Sequence, residues 1–237
     1  MTKLSVNINK IATLRNARGG NMPSVTKAAI DIQEFGAQGI TIHPRPDERH
    51  ITYRDAYELK PLVHTEYNIE GNPIPKFVDL VLDIKPTQVT LVPDSVDAIT
   101  SDAGWDTITH QAFLTEVITE FKRNNIRTSI FMDTNADFIE AAARTGADRI
   151  ELYTEAYATH YSMDGVNAVA PYTESAILAN SLGLGINAGH DLSLENIQFF
   201  HQQVPHLLEV SIGHALITEA LYLGLENVVN MYLQKLK

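Results

Sequence analysis

The 237-residue chain contains no cysteine, which excludes disulfides, thiolate nucleophiles, zinc fingers and iron–sulfur clusters. It is poor in cations, with 18 Lys and Arg against 29 Asp and Glu, a formal charge of −11. That balance argues against a nucleic-acid partner, whose phosphates require a basic face. No apolar run approaches the roughly 18 residues of a membrane-spanning helix. The opening residues, MTKLSVNINK, lack the cationic and apolar regions of a signal peptide. A cytoplasmic protein that avoids membranes is expected. No Pro/Ser/Gly-rich linker or low-complexity tract interrupts the chain, so one domain over residues 1–237 is expected.

A repeating device fills the chain: a short β-branched run, a polar or glycine-containing turn, then a longer amphipathic segment. The runs are KLSVNI (3–8), GITIH (39–43), EYNIE (66–70), QVTLVP (88–93), RTSIFM (127–132), RIELY (149–153), GLGINAG (183–189) and LEVSIGH (208–214). Helix-compatible stretches follow most of them, among them 24–35, 107–124, 136–145 and 215–236. The phrases EFGAQGITIH, AARTGADRIELY and ANSLGLGINAG each read as a helix closed by glycine and fed into a buried strand. Eight such units predict an α/β fold, a closed (β/α)8 TIM barrel. A doubly wound open sheet is the rival, but its GxGxxG turn is absent.

In such a barrel the chemistry sits where strands end. Strand one ends at Asn7, Asn9 and Lys10, strand two at His43 and Arg45, and strand three at Glu70. Strand six carries Glu151, strand seven runs into Asn187 and His190, and strand eight into Gly213 and His214. Glu70 closes an otherwise apolar strand, where an unpaired carboxylate is costly. Neighbouring strands lie about 4.8 Å apart, so His43 and Glu70 are placed to touch. Glu151 has an alternative reading as an ion pair with Arg149, two residues back on the same strand face. Gly213–His214 at the start of the last helix matches the usual phosphate position of these barrels. Arg15 and Arg18 in IATLRNARGG form a basic cluster in an acidic chain.

These residue types suit general acid–base chemistry. A metal site of two histidines and a carboxylate is conceivable in composition, but no HxH or HExxH spacing supports one. Lys10 reads as a loop residue rather than a strand-end lysine, which argues against an enzyme-bound imine.

The stretches VNINKIATLRNARG (6–19), GITIHPRPDERHI (39–51), YNIE (67–70), LVP (91–93), RIELYT (149–154), INAGHDL (186–192) and SIGHALI (211–217) closely resemble the pyridoxine 5′-phosphate synthase family. The resemblance runs from end to end. It implies a condensation of 1-deoxy-D-xylulose 5-phosphate with 3-amino-2-oxopropyl phosphate to pyridoxine 5′-phosphate, phosphate and water, without metal or organic cofactor. It implies His43 and Glu70 as proton acceptors, His190 as proton donor and Glu151 as stabiliser of cationic transition states. Asn7, Arg18, Asp191, Gly213 and His214 would hold the amine. Asn9, Lys10, Arg45, His50 and Thr100 would hold the sugar phosphate. The segment 94–104 resembles the family's lid, and the family's octamer completes a site with a neighbour's arginine. Two departures stand out: Asn9–Lys10 replaces the Asp-His of many members, and Asp191 stands where glycine is common. Another phosphate-handling isomerase or aldolase, or a barrel that merely binds a phosphorylated ligand, would not need acid–base groups on four strand ends at once.

Overall fold

The computed structural model describes residues 1–94 and 103–237. From Lys3–Asn7 (β1) the chain passes through Asn9–Asn16 (α1) and Val25–Glu34 (α2) to Gly39–Ile42 (β2). Tyr53–Leu59 (α3) leads to Glu66–Gly71 (β3), Pro75–Ile84 (α4) to Gln88–Leu91 (β4), and Gln111–Arg123 (α5) to Arg127–Met132 (β5). Ala136–Arg144 (α6), Arg149–Tyr153 (β6), Glu155–Ser181 (α7) and Gly185–Gly189 (β7) follow. Ile197–Gln203 (α8), Leu207–Ile212 (β8), His214–Leu223 (α9) and Leu225–Lys235 (α10) complete the order. The strands form a closed parallel barrel in sequence order, with β8 returning to β1 at Leu4↔Val210 and Ser5↔Ser211. This is the expected (β/α)8 fold.

Alternation along each strand divides it between two environments. Leu4, Val6, Ile40, Ile42, Ile69, Val89, Ile130, Ile150 and Ile186 point outward and are fully buried among the helices. The inward set is polar. Glu66 joins Lys3 and Arg127, Arg127 also donates to Gln88 at 2.8 Å, and Arg149 donates to Asn187 at 3.1 Å and Glu209 at 3.4 Å. Arg149 therefore pairs with Glu209 across the barrel instead of with Glu151, correcting the local ion pair weighed from sequence. Above this floor, Ser5 and Thr41 are 2.7 Å apart, and Thr90 Oγ1 donates to Asn68 Oδ1 at 3.1 Å.

Several helix starts are set by short polar side chains that satisfy orphan N–H groups. Ser24 accepts from Lys27 N at 3.1 Å, Asn135 from Phe138 N at 3.2 Å, and Thr52 and Asp55 form a reciprocal capping box. Glycine entry to the strands is found at Gly146 and Gly183, both at φ 82°. Three boundaries differ from expectation. Helix α5 begins at Gln111 instead of Thr107, because Asp106 accepts from Ile108 N and Thr109 N and holds a turn there. The stretch 215–236 is two helices, parted at Gly224 with φ 84°. Lys10 lies in the first turn of α1, not in a loop, because Asn7 Oδ1 accepts Asn9 N at 3.0 Å and starts the helix directly after β1. Among the described residues no helix is long and apolar enough to cross a membrane.

Candidate active site

The C-terminal ends of the strands open into a cavity of about 780 Å³. Its lining contains Asn7, Asn9, Lys10, His43, Arg45, His50, Glu70, Glu151, His190, Asp191, Gly213 and His214, twelve of the fourteen residues expected from sequence. Arg18 does not line it; the residue is exposed just beyond α1. Thr100, with most of the segment expected to form a lid, lies outside the described residues.

The loop from β1 into α1 ties three strand ends together. Asn7 Nδ2 donates to Glu70 Oε2 at 3.3 Å, Asn7 Oδ1 accepts from Asn9 N at 3.0 Å, and Asn9 Oδ1 accepts from His43 N at 2.9 Å. Asn9 thus fixes the backbone of His43. The pairing Ile42↔Ile69 sets His43 and Glu70 at matching heights as expected, yet the carboxylate takes its hydrogen bond from Asn7. Close approach on the other side depends on a missing side chain. A Cβ at Gly189 would come within 2.4 Å of Ser211 O and 3.2 Å of Glu151 Oε1.

Burial and neighbouring charge set the protonation of the four titratable groups in opposite directions. His43 is 7% exposed; burial, then Arg45, His50, His190 and Arg49, push it well below its ordinary value, so it is a neutral acceptor at pH 7. Burial also pulls on His190, but the Asp191 hydrogen bond and the charges of Asp191, Glu151 and Asp94 outweigh it and hold the imidazole above its ordinary value. Glu70 is driven well up by burial and then by Glu151, Asp94 and Glu209. Burial pushes Glu151 up to about 7, opposed by the His190 charge and the Thr90 hydroxyl, 3.4 Å away. Burial and the neighbouring Glu151 charge both oppose ionisation of Glu70.

The rim is cationic. Burial, Arg45, Lys10 and Arg49 together lower His50 to about 4. These residues form a cluster suited to a phosphate. Arg45 is itself buried and pairs with Asp94 at 3.1 Å. On the opposite side α9 begins at the cavity with Gly213, His214 and Ala215 in the lining, placing the positive end of its dipole there. Arg49 escaped the sequence reading, visible only as a second arginine in PRPDERH, and Asp94 was read only as the first residue of the segment resembling the family's lid. Arg15, singled out as basic, lies behind the rim. It grips Asp55 at 2.5 and 2.8 Å and donates to the carbonyl of His50 at 3.2 Å. No group of three or more His, Asp or Glu side chains among the described residues is placed to hold a metal ion.

The family model described as "Pyridoxal phosphate biosynthesis protein PdxJ" matches residues 4–237. The pyridoxine 5′-phosphate synthase of Flavobacterium johnsoniae is 71% identical over 237 residues, all of both chains. That of Cytophaga hutchinsonii is 63% identical, also over all of both chains. Among solved structures, 3-keto-L-gulonate-6-phosphate decarboxylase from Vibrio cholerae superposes with a TM-score of 0.66 at 9% identity, covering 99% of this chain and 97% of that one. Phosphoribosylanthranilate isomerase from Thermotoga maritima gives 0.62 at 13%, covering 100% and 98%. At those identities the structural likeness speaks for the barrel alone.

Proposed function

Because the chain belongs to the family of pyridoxal phosphate biosynthesis protein PdxJ and its full-length relatives are pyridoxine 5′-phosphate synthases, we infer that it is an enzyme of vitamin B6 synthesis that closes the pyridine ring in this cavity. The substrates are 1-deoxy-D-xylulose 5-phosphate and 3-amino-2-oxopropyl phosphate; the products are pyridoxine 5′-phosphate, inorganic phosphate and water. The condensation is redox-neutral: the amine nitrogen adds to one carbonyl and a carbon nucleophile to the other, and the displaced oxygens leave as phosphate and water, each step assisted by proton transfer.

The observation that carries this reading is one cavity lined by His43, Glu70, Glu151 and His190 and ringed by Lys10, Arg45, Arg49 and His50. Neutral His43 accepts protons from carbon or nitrogen. Charged His190 supplies the proton that converts a departing hydroxyl into water. Burial favours the protonated form of Glu70, and a cationic amine docking beside it favours the carboxylate, so the proton passes to solvent and leaves the base form. Ionised Glu151 then faces the cationic, imine-like stages. The Lys10–Arg45–His50 side takes the sugar phosphate, with Asn9 holding His43 in place. The Gly213–His214 end takes the phosphate of the amine substrate, beside Asn7.

We further propose one catalytic domain that assembles as the family's octamer, with a neighbour's arginine completing each site. Incubation of the purified protein with both substrates should yield pyridoxine 5′-phosphate and stoichiometric phosphate. Folded protein that releases neither product overturns the assignment.

A further inference from the structure

The turn after β7 is unusual. His190 has φ 81°, a left-handed conformation that side chains other than glycine rarely adopt and that persists only where surroundings impose it. Here they do. His190 N donates to Ser211 O at 3.2 Å, and Asp191 N donates to Thr154 Oγ1 at 3.2 Å. The Thr154 hydroxyl in turn donates to the carbonyl of Gly189. The strained turn brings consecutive side chains together, with His190 Nδ1 and Asp191 Oδ2 2.8 Å apart.

We propose that Asp191 is the positioning residue of the acid: its carboxylate holds the His190 ring through Nδ1, fixing its orientation and charge so that the proton is delivered from Nε2. This rests on the reading of His190 as proton donor. The two ring nitrogens are distinct, and a partner on one decides what the other does. With Nδ1–H donated to Asp191, the charged ring carries its transferable proton on Nε2. Transfer leaves a neutral ring with Nδ1–H still donated, an ionised Asp191 and a departing water.

The groups facing His190 fit that task. Asp191 adjoins it, Glu151 and the edge-on Tyr153 ring at 5.5 Å approach from β6, His43 from β2, and Asp94 from the segment after β4. Glu151 titrates near 7 and His43 is neutral. Asp191 is the carboxylate that lies within hydrogen-bond distance of the His190 ring, at 2.8 Å from Nδ1. A carboxylate in a cavity that takes two phosphorylated substrates repels them unless a cation covers it, and His190 provides that cover.

The test compares wild type, Asp191→Asn and Asp191→Glu by kcat–pH profiles and by NMR titration of [13Cε1]-histidine, with His190 assigned from the signal lost in His190→Asn. In Asp191→Asn the His190 midpoint should fall by about one pH unit or more, the effect of losing an adjacent charge. The alkaline limb of kcat should fall with it, and kcat at pH 8 should drop about tenfold while KM for the aminoketone changes little. Asp191→Glu should recover part of both. An unchanged midpoint and limb in Asp191→Asn overturns the proposal, as does a rise in KM at constant kcat, which makes Asp191 a substrate contact. Wild-type protein that makes no product overturns the proposed function instead, and the NMR titration still decides the pairing.

Discussion

Arg15 and Asp55 meet in a two-toothed ion pair, Nη1 to Oδ1 at 2.5 Å and Nη2 to Oδ2 at 2.8 Å, with side chains 13% and 9% exposed. The pair does more than join α1 to α3. Arg15 also donates to the His50 carbonyl, Asn16 donates to the carbonyls of Arg49 and His50, and Asp55 caps α3 through Thr52. The loop bearing Arg45, Arg49 and His50 is thus moored from below. Removing one partner of a buried pair strands the other, at a cost of about 3 kcal/mol. Arg15→Ala should lose stability on that scale in urea unfolding and raise KM for the sugar phosphate more than it lowers kcat. Full stability would show the mooring to be redundant.

Burial pushes His43 down and Glu70 up, each toward its uncharged form, and both lie on adjacent strand ends. Glu70→Gln and His43→Asn should each lower kcat about a hundredfold or more, the usual scale for groups that transfer protons. The double variant should be clearly less than additive because the two serve one sequence of transfers. Near-normal turnover in both single variants would reduce them to structural groups.

Lys10 sits in the first turn of α1, and its charge is among those lowering His50. A charge-assisted bond to phosphate is worth roughly 1.5–3 kcal/mol. On that scale Lys10→Ala should raise KM for 1-deoxy-D-xylulose 5-phosphate by about ten- to a hundredfold and leave KM for the aminoketone nearly unchanged. The same change should raise the His50 titration midpoint. Equal weakening toward both substrates would point to general damage at the rim.

The barrel and its ring of strand-end residues were legible because both rest on local signals. The β-branched runs repeat about once per thirty residues, and polar residues such as His43, Glu70 and His190 fall where those runs stop. Relations across the barrel were not legible. Arg149 lies two residues from Glu151, yet strand tilt and register bring it to Glu209, some sixty residues away. Arg15 stood out only as part of a basic cluster, but the two turns of α1 and the loop beyond determine that it faces Asp55. The left-handed turn at His190 follows from bonds to Ser211 and Thr154 on other strands' ends, which no local pattern announces.

The polar floor makes stability depend on pH through Glu66. Burial pushes this carboxyl up, but hydrogen bonds from Lys3 and Arg127 and their charges prevail and hold it at about 2 against an ordinary 4.5. A carboxyl with a depressed folded value contributes stability that is complete above the unfolded value and disappears as pH falls through the folded one. The window here runs from 4.5 down to about 2. At about 1.4 kcal/mol per pH unit, discounted for solvent screening of Lys3 at 46% exposure, the contribution at neutral pH is about 2 kcal/mol. Glu66→Gln should therefore lower unfolding stability by that amount at pH 7 and by clearly less at pH 3.5, where the wild-type carboxyl has begun to lose its advantage. Urea unfolding at the two pH values measures it. A penalty equal at both, or larger in acid, would mean that Glu66 acts through packing, and that its ion pairs with Lys3 and Arg127 contribute nothing to the fold.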